Sequence, residues 1–281
     1  MPELPEVESA CRIMRTALAG KQITACEVVR DPIVFSGHGP RAIEKALVGR
    51  SVAAVGRRGK FWWLELTGPG PTVFGHLGMS GWIQALEGPE KRLHGHGKAP
   101  LRDAEGRPRF MRLLVRAADG EGFAFTDPRR FGRIWLGESP ETDPQVRRLG
   151  PDAYEALPSA PELLARFAKR RIAIKAVLLD QRVVSGIGNW IADEVLYQAR
   201  IAPARVASTL TKAEVSTLRR SITSVIAHAV AVDADSTRFP KTWLFAHRWG
   251  GTRGADAIGR QAIVREVVGG RTTAWVPSRQ T

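Results

Sequence analysis

Apolar residues recur at helical spacing over about residues 5 to 18, with Val7, Cys11, Met14 and Leu18 on one stripe, and this period predicts an amphipathic helix. Pro5 suits the first turn of such a helix, and Glu6 and Glu8 complement its dipole. The period then shortens. "QITACEVV", "SVAAVGRRGKFWWLEL", "PTVFGHLG", "FMRLLVRA", "GFAFTD" and "RFGRIWLG" are rich in β-branched and aromatic residues and divided by Gly, Pro or Asp, which predicts the strands of a sandwich or barrel. "ESPETDPQVRRLGPDAYEALP" is polar and proline-bearing and reads as a linker. Helical spacing returns over about residues 158 to 230, and the tail closes on "AIVREVV" and "TTAWVP" around "GGR", the pattern of a hairpin. The chain contains no internal repeat and no low-complexity block.

With 281 residues and 43% hydrophobic composition, the chain is long enough to bury a core in each of two domains. Its formal charge of +14 points to a polyanionic partner. The charge is clustered: Arg238 to Thr281 carries a net +6, from eight Arg or Lys against two acids. That favours nucleic acid over a membrane surface, because no apolar run is long enough to span a bilayer and no basic amphipathic helix is evident. Cys11 and Cys26 are the only cysteines, too few for a disulfide framework, and no signal peptide precedes them; both read as buried packing residues in a cytoplasmic protein. His94 and His96 lack acidic or thiol neighbours at ligand spacing and read as parts of a solvated loop.

Three stretches carry more chemistry than packing requires. In "LLDQRVVSGIGNWIADEVLYQARIAP", Gly186 and Gly188 separate two helical segments and Asn189 stands at the N-cap of the second. Such a turn presents N–H groups suited to a phosphate, and it equally suits a plain helix connection. In "DPRRFG", an exposed Arg-Arg-Phe tip would hold phosphates and press a ring into a base stack; the alternative is a charged turn with one core aromatic. "GHLGMSGW" offers His76 and Met79 on a glycine-rich loop, where a flexible thioether fills a void in a duplex or packs in a core.

These stretches are not isolated. "MPELPEVE", "RRGKF", "HLGMSG", "DPRRFG", "LLDQRVVSGIGNWIADE" and "GGRTTAWVPSRQ" follow one another in an order that resembles the formamidopyrimidine-DNA glycosylase and endonuclease VIII family over nearly the whole chain. Leu4, "HLGMSG" and "DPRRFG" point to the formamidopyrimidine side. The resemblance implies an α+β multidomain fold: an N-terminal two-layer β-sandwich with flanking helices (1–138), a linker (139–155), a helix-two-turns-helix domain (156–242) and a C-terminal β-hairpin finger (243–281). It implies excision of oxidised bases and strand cleavage at the abasic site, on double-stranded DNA, by a monomer without cofactor. The compartment implied is the cytoplasm, nucleoid-associated in a bacterium, or the nucleus in a eukaryote. A noncatalytic damaged-DNA-binding protein on the same scaffold is the competing reading.

Matched residue by residue, the resemblance makes Pro2, once Met1 is removed, the amine nucleophile and Glu3 the catalytic acid. Glu6 helps to place the N-terminus, and Lys60 holds phosphate near the lesion. Met79, Arg129 and Phe131 become the residues that fill the void left by a flipped base, with Arg130 structural or phosphate-facing. Asn189, Lys175 and Arg271 become DNA-backbone contacts. The chain departs from the bacterial pattern at its finger. Val276 and Arg279 stand where the last zinc-binding cysteine pair would be, so the tail resembles the zincless finger of plant and fungal relatives, with packing by Trp275 and Val276 in place of metal. "AVDADSTRFPKTWLF" leaves little room for the loop that closes over 8-oxoguanine in zinc-bearing relatives. The resemblance to zincless relatives implies that hydantoins, formamidopyrimidines and abasic sites rank ahead of 8-oxoguanine. The segment 87–109 is an insertion without an assigned role.

Overall fold

Helix α1 (Leu4–Leu18) begins at an N-terminal turn in which the Glu3 backbone N–H donates to Glu6 Oε2 at 2.9 Å. Its foreseen stripe of Val7, Cys11, Met14 and Leu18 is fully buried, against Trp62, Leu64, Val73, Phe123 and Phe125 among others. Each such side chain contributes about 1.5–3 kcal/mol by leaving water. A computed structural model describes residues 2–88, 90–91, 100–250 and 256–281, and the chain divides into two compact units, Met1–Arg147 and Arg148–Thr281. His94 and His96 lie outside the described residues.

The first unit holds β1 (Ile23–Val28), α2 (Pro40–Leu47), β2 (Val52–Arg58), β3 (Phe61–Leu66), β4 (Thr72–His76), β5 (Trp82–Ala85), β6 (Met111–Ala117), β7 (Gly122–Thr126) and β8 (Arg133–Gly137). They form two four-stranded antiparallel sheets, ordered β1-β6-β7-β5 and β2-β3-β4-β8. The single run "SVAAVGRRGKFWWLEL" folds as a hairpin because Gly59, at φ 60, turns the chain between β2 and β3. Cys26 is half-buried on β1 rather than enclosed as expected. The outer face of the second sheet stacks Phe74 on Trp135 at 5.5 Å and takes Val146 of α3 (Pro144–Arg147) into the same cluster. Trp135 Nε1 also donates to Asp143 Oδ2 at 2.8 Å, so the first part of the polar 139–155 stretch is packed against this sheet.

The second unit contains α4 (Ala160–Ala168), α5 (Ile174–Leu179), α6 (Asn189–Ala199) and α7 (Lys212–Ala231), then short strands β9 (Ala257–Ile258) and β10 (Gln261–Ala262) and the hairpin β11 (Val264–Val268) and β12 (Arg271–Trp275). Gly188 is the N-cap of α6, and Asn189 is the first helical residue rather than the cap. Val276 is fully buried with Tyr197, Leu244, Ile263 and Ala274, as expected of a hairpin held by packing. Trp275 is not part of that cluster; it is half-buried, and its indole N–H lacks a hydrogen-bond partner. Gln280 closes the end, accepting from the Val276 N–H at 2.7 Å and donating to the Ile201 carbonyl at 3.0 Å. No helix among the described residues is long and apolar enough to cross a membrane.

Candidate active site

The N-terminus of α1 gathers three of the foreseen residues. Pro2 is buried, Glu3 is 1% exposed, and Glu6 reaches back to the Glu3 backbone. Burial, together with the neighbouring Glu3 carboxylate, pushes the Glu6 carboxyl up from 4.5 to about 7. Folded protein therefore holds a proton here that the unfolded chain releases. The stabilisation this proton gives is complete below pH 4.5 and is lost as pH rises through about 7. Glu6→Gln is expected to flatten stability between those limits, measured as urea midpoints at acidic and neutral pH; an unchanged slope refutes the assignment.

Lys60 lies in the two-residue turn between β2 and β3, one position before the strand in which "RRGKF" ends. Next in the sheet, His76 pairs with Phe61 on one side and Arg133 on the other. His76 Nδ1 accepts the Gly78 N–H at 3.0 Å, which leaves the proton of the neutral ring on Nε2. Burial and the charges of Lys60 and Arg133 push this imidazole down to about 4. At neutral pH it is an uncharged N–H donor, not a cation.

Two loops at adjacent strand ends carry the exposed tips. β5 and β7 pair through Trp82 and Thr126, so the Met79 loop that precedes one lies beside the Arg129 to Phe131 loop that follows the other. Gly78, at φ 62, allows this contact, since a Cβ there would sit 2.3 Å from the Phe131 carbonyl carbon. Asp127 is fully buried and binds both loops: it accepts from Ser80 Oγ at 2.6 Å, the Arg129 N–H at 3.1 Å and the Gly132 N–H at 2.6 Å. Met79 is 40% and Phe131 45% exposed, large apolar groups held in water by a rigid base. The Arg129 guanidinium carbon lies 4.8 Å from the Phe131 ring centroid. Arg130, at φ 58, turns away to Asp31, donating at 2.7 and 3.0 Å, and these bonds hold the Asp31 carboxyl below its usual range. Of the two roles weighed for Arg130, the structural one fits this geometry.

Within the second unit, Lys175, Asn189 and Arg271 converge on β12. Arg271 is exposed directly after the Gly269 and Gly270 turn. Asn189 Nδ2 donates to the Thr272 carbonyl at 3.0 Å. Lys175 corrects an expectation: its side chain is 0% exposed, and its ammonium donates to the Thr272 carbonyl at 3.2 Å and Thr273 Oγ1 at 2.6 Å while pairing with Asp193 Oδ1 at 2.6 Å. An enclosed ammonium with three oxygen partners does not reach a DNA phosphate; it holds the strand that begins with Arg271. Arg248 completes the group, 2.6 Å from Asp193 Oδ2. Sequence reasoning missed Asp127, Ser80, Asp31, Asp193 and Arg248. Of these Asp127 and Asp31 carried a local signal, each standing directly before a proline. Among the described residues no group of three or more His, Cys, Asp or Glu is placed to hold a metal ion.

The chain is similar to known proteins along nearly its whole length. Residues 1–134 match the formamidopyrimidine-DNA glycosylase N-terminal domain, and residues 149–241 match the formamidopyrimidine-DNA glycosylase H2TH domain. The formamidopyrimidine-DNA glycosylase of Arabidopsis thaliana is 40% identical over 281 residues, covering 100% of this chain and 71% of that protein. That of Geobacter metallireducens is 33% identical, with 100% of both chains covered. Among solved structures, the MutM (Fpg) protein of Thermus thermophilus superposes with a TM-score of 0.73 at 30% identity, over 99% of this chain and 98% of that one. The Lactococcus lactis formamidopyrimidine-DNA glycosylase, solved bound to DNA containing an abasic site, superposes with a TM-score of 0.76 at 25% identity over 100% of both. The two family domains follow one another over most of the chain, and relatives of 40% and 33% identity span all of it, so the chain belongs to the formamidopyrimidine-DNA glycosylase family.

Proposed function

We propose that this chain is a bifunctional DNA glycosylase and abasic-site lyase that works through an amine at Pro2. The observation that carries the reading is the enclosure of Pro2 and Glu3 at the start of α1, beside a Glu6 carboxyl that is half-protonated near neutral pH. With Met1 removed, Pro2 carries a free α-amino group, a class of amine that ordinarily titrates at about 8, and its unprotonated fraction is the nucleophile. Its lone pair forms the bond to sugar C1′ as the bond from C1′ to the base breaks; the base leaves with the bonding pair and takes up a proton, and the Pro2 nitrogen gives up its N–H proton. Glu3 protonates the ring oxygen as the ring opens, leaving an iminium on Pro2. The iminium acidifies the C2′ proton; its removal expels the 3′ phosphate, and a second elimination expels the 5′ phosphate. Water then releases the sugar fragment from Pro2. Glu6, next to Glu3, takes and returns the protons these steps move.

Extruding the nucleotide costs a few kcal/mol and leaves a hole in the duplex. Met79, Phe131 and Arg129 fill it, the first two with apolar bulk and the third with hydrogen bonds to the orphaned base. Lys60, the Nε2–H of His76, Asn189 and Arg271 hold phosphates. The substrate is double-stranded DNA bearing oxidised bases or abasic sites, with formamidopyrimidines and hydantoins ahead of 8-oxoguanine. The compact segment after α7 supports that ranking. Phe239, Trp243 and Phe245 are each buried there and pack edge-on or tilted against Trp190, His228 and one another, so residues 239–245 are held within their own unit and are not free to fold over a purine. The test is borohydride trapping on an abasic-site duplex with protein verified to begin at Pro2. A covalent adduct is expected, and its absence overturns the lyase assignment.

A further inference from the structure

We propose that Glu8 and Arg57 are positioning residues, a buried ion pair that fixes Lys60 relative to the N-terminus of α1. The inference rests on the reading of Pro2 and Lys60 given above. The Arg57 side chain is 0% exposed and that of Glu8 9%, with Arg57 Nε donating to Glu8 Oε2 at 2.9 Å. A second nitrogen of the same guanidinium donates to the Gly59 carbonyl at 3.1 Å. Gly59 is the positive-φ residue that turns the chain into Lys60. The other Glu8 oxygen accepts from an Arg15 terminal nitrogen at 2.7 Å, while Arg15 Nε donates to the Val55 carbonyl at 3.1 Å. Helix α1 is thereby tied to β2 at Val55 and Arg57, and through Arg57 to the turn beyond it.

Packing alone does not call for this arrangement. Enclosing two charges is expensive, and an apolar pair of similar volume would hold the helix on the sheet as well or better. An apolar pair lacks the third arm, in which a planar guanidinium aims one N–H at the helix carboxylate and another at the turn carbonyl. Glu8 lies about 7.5 Å along the helix from Glu3 at 1.5 Å rise per residue. Lys60 is the residue next to Gly59. Both reactive ends therefore stand on short levers from one ion pair, and the pair sets the distance between the attacking amine and the phosphate-holding ammonium. A displacement of about 1 Å in such a geometry costs on the order of a hundredfold in rate.

The test combines Arg57→Lys and Glu8→Gln with Lys60→Ala. In otherwise native protein each is expected to slow single-turnover base excision roughly 10- to 100-fold, while affinity for a duplex carrying tetrahydrofuran in place of the damaged nucleotide changes less than about threefold. In the Lys60→Ala background the same substitutions are expected to cost less than about threefold in rate, because the group they position is gone. The apolar replacement Glu8→Leu with Arg57→Met should keep the thermal midpoint and still lose the rate. Full activity of Arg57→Lys overturns the proposal, and so does a loss that persists undiminished without Lys60; either result leaves the glycosylase reading standing. If Lys60→Ala is itself silent, the role of Lys60 falls and takes the proposal with it. If mature protein excises nothing, the glycosylase reading fails first.

Discussion

Protein that retains Met1 is expected to give no borohydride-trapped adduct and no strand cleavage on an abasic-site duplex, whereas protein beginning at Pro2 gives both. With Met1 in place the Pro2 nitrogen belongs to a tertiary amide, whose lone pair is delocalised into the carbonyl and neither attacks carbon nor forms an iminium. The loss should be complete, because the nucleophile is absent rather than misplaced. Intact mass fixes which form is present, and gel retardation on the same duplex shows that binding survives. An adduct formed by the Met1-bearing form would move the nucleophile to a side-chain amine, of which Lys60 is the first to examine.

Glu3→Gln is expected to reduce base excision by about 10² to 10⁴, the usual contribution of a positioned acid, with duplex affinity kept. Gln preserves the shape of the side chain, and the Glu3 backbone N–H still reaches Glu6 Oε2 at 2.9 Å, so the turn into α1 stays formed. What disappears is a proton that can be given to the sugar ring oxygen. Excision should be measured in single turnover, so that slow product release does not mask the chemical step. A loss under about tenfold would remove Glu3 from the role of acid and leave Glu6 as the alternative.

The sequence made α1 and most of the sandwich strands legible, because one apolar stripe at helical spacing and alternating segments cut by Gly and Pro are local signals. β5 has four residues and α2 eight, too short for a period to declare itself, and neither was foreseen from residues alone. The exposed members of the candidate site came from motif resemblance. The groups that support them did not. Glu8 reads as a helix-dipole acid until Arg57, 49 residues away, is seen against it. Lys175 reads as a DNA-backbone contact until Thr273, 98 residues away, is seen to accept its hydrogen bond. Asp127 shows an Asp-Pro turn in sequence, but its bond to Ser80 spans 47 residues. Buried polar networks are non-local, and hydrophobic periodicity carries no information about them.

The manner in which the hairpin is held bears on the circumstances in which it works. Its anchors are Val276 in an apolar cluster and Lys175, Asp193 and Arg248 in an ionic one, and the chain's only thiols, Cys11 and Cys26, stand in the other unit. Thiolates that clasp a metal are early casualties of peroxide, which converts them to sulfenic acids and disulfides and frees the ion. Ammonium, guanidinium, carboxylate and aliphatic groups are inert to the same oxidant. The anchors of this hairpin therefore offer peroxide no thiolate to oxidise, and the oxidant that damages bases leaves the hairpin clasped.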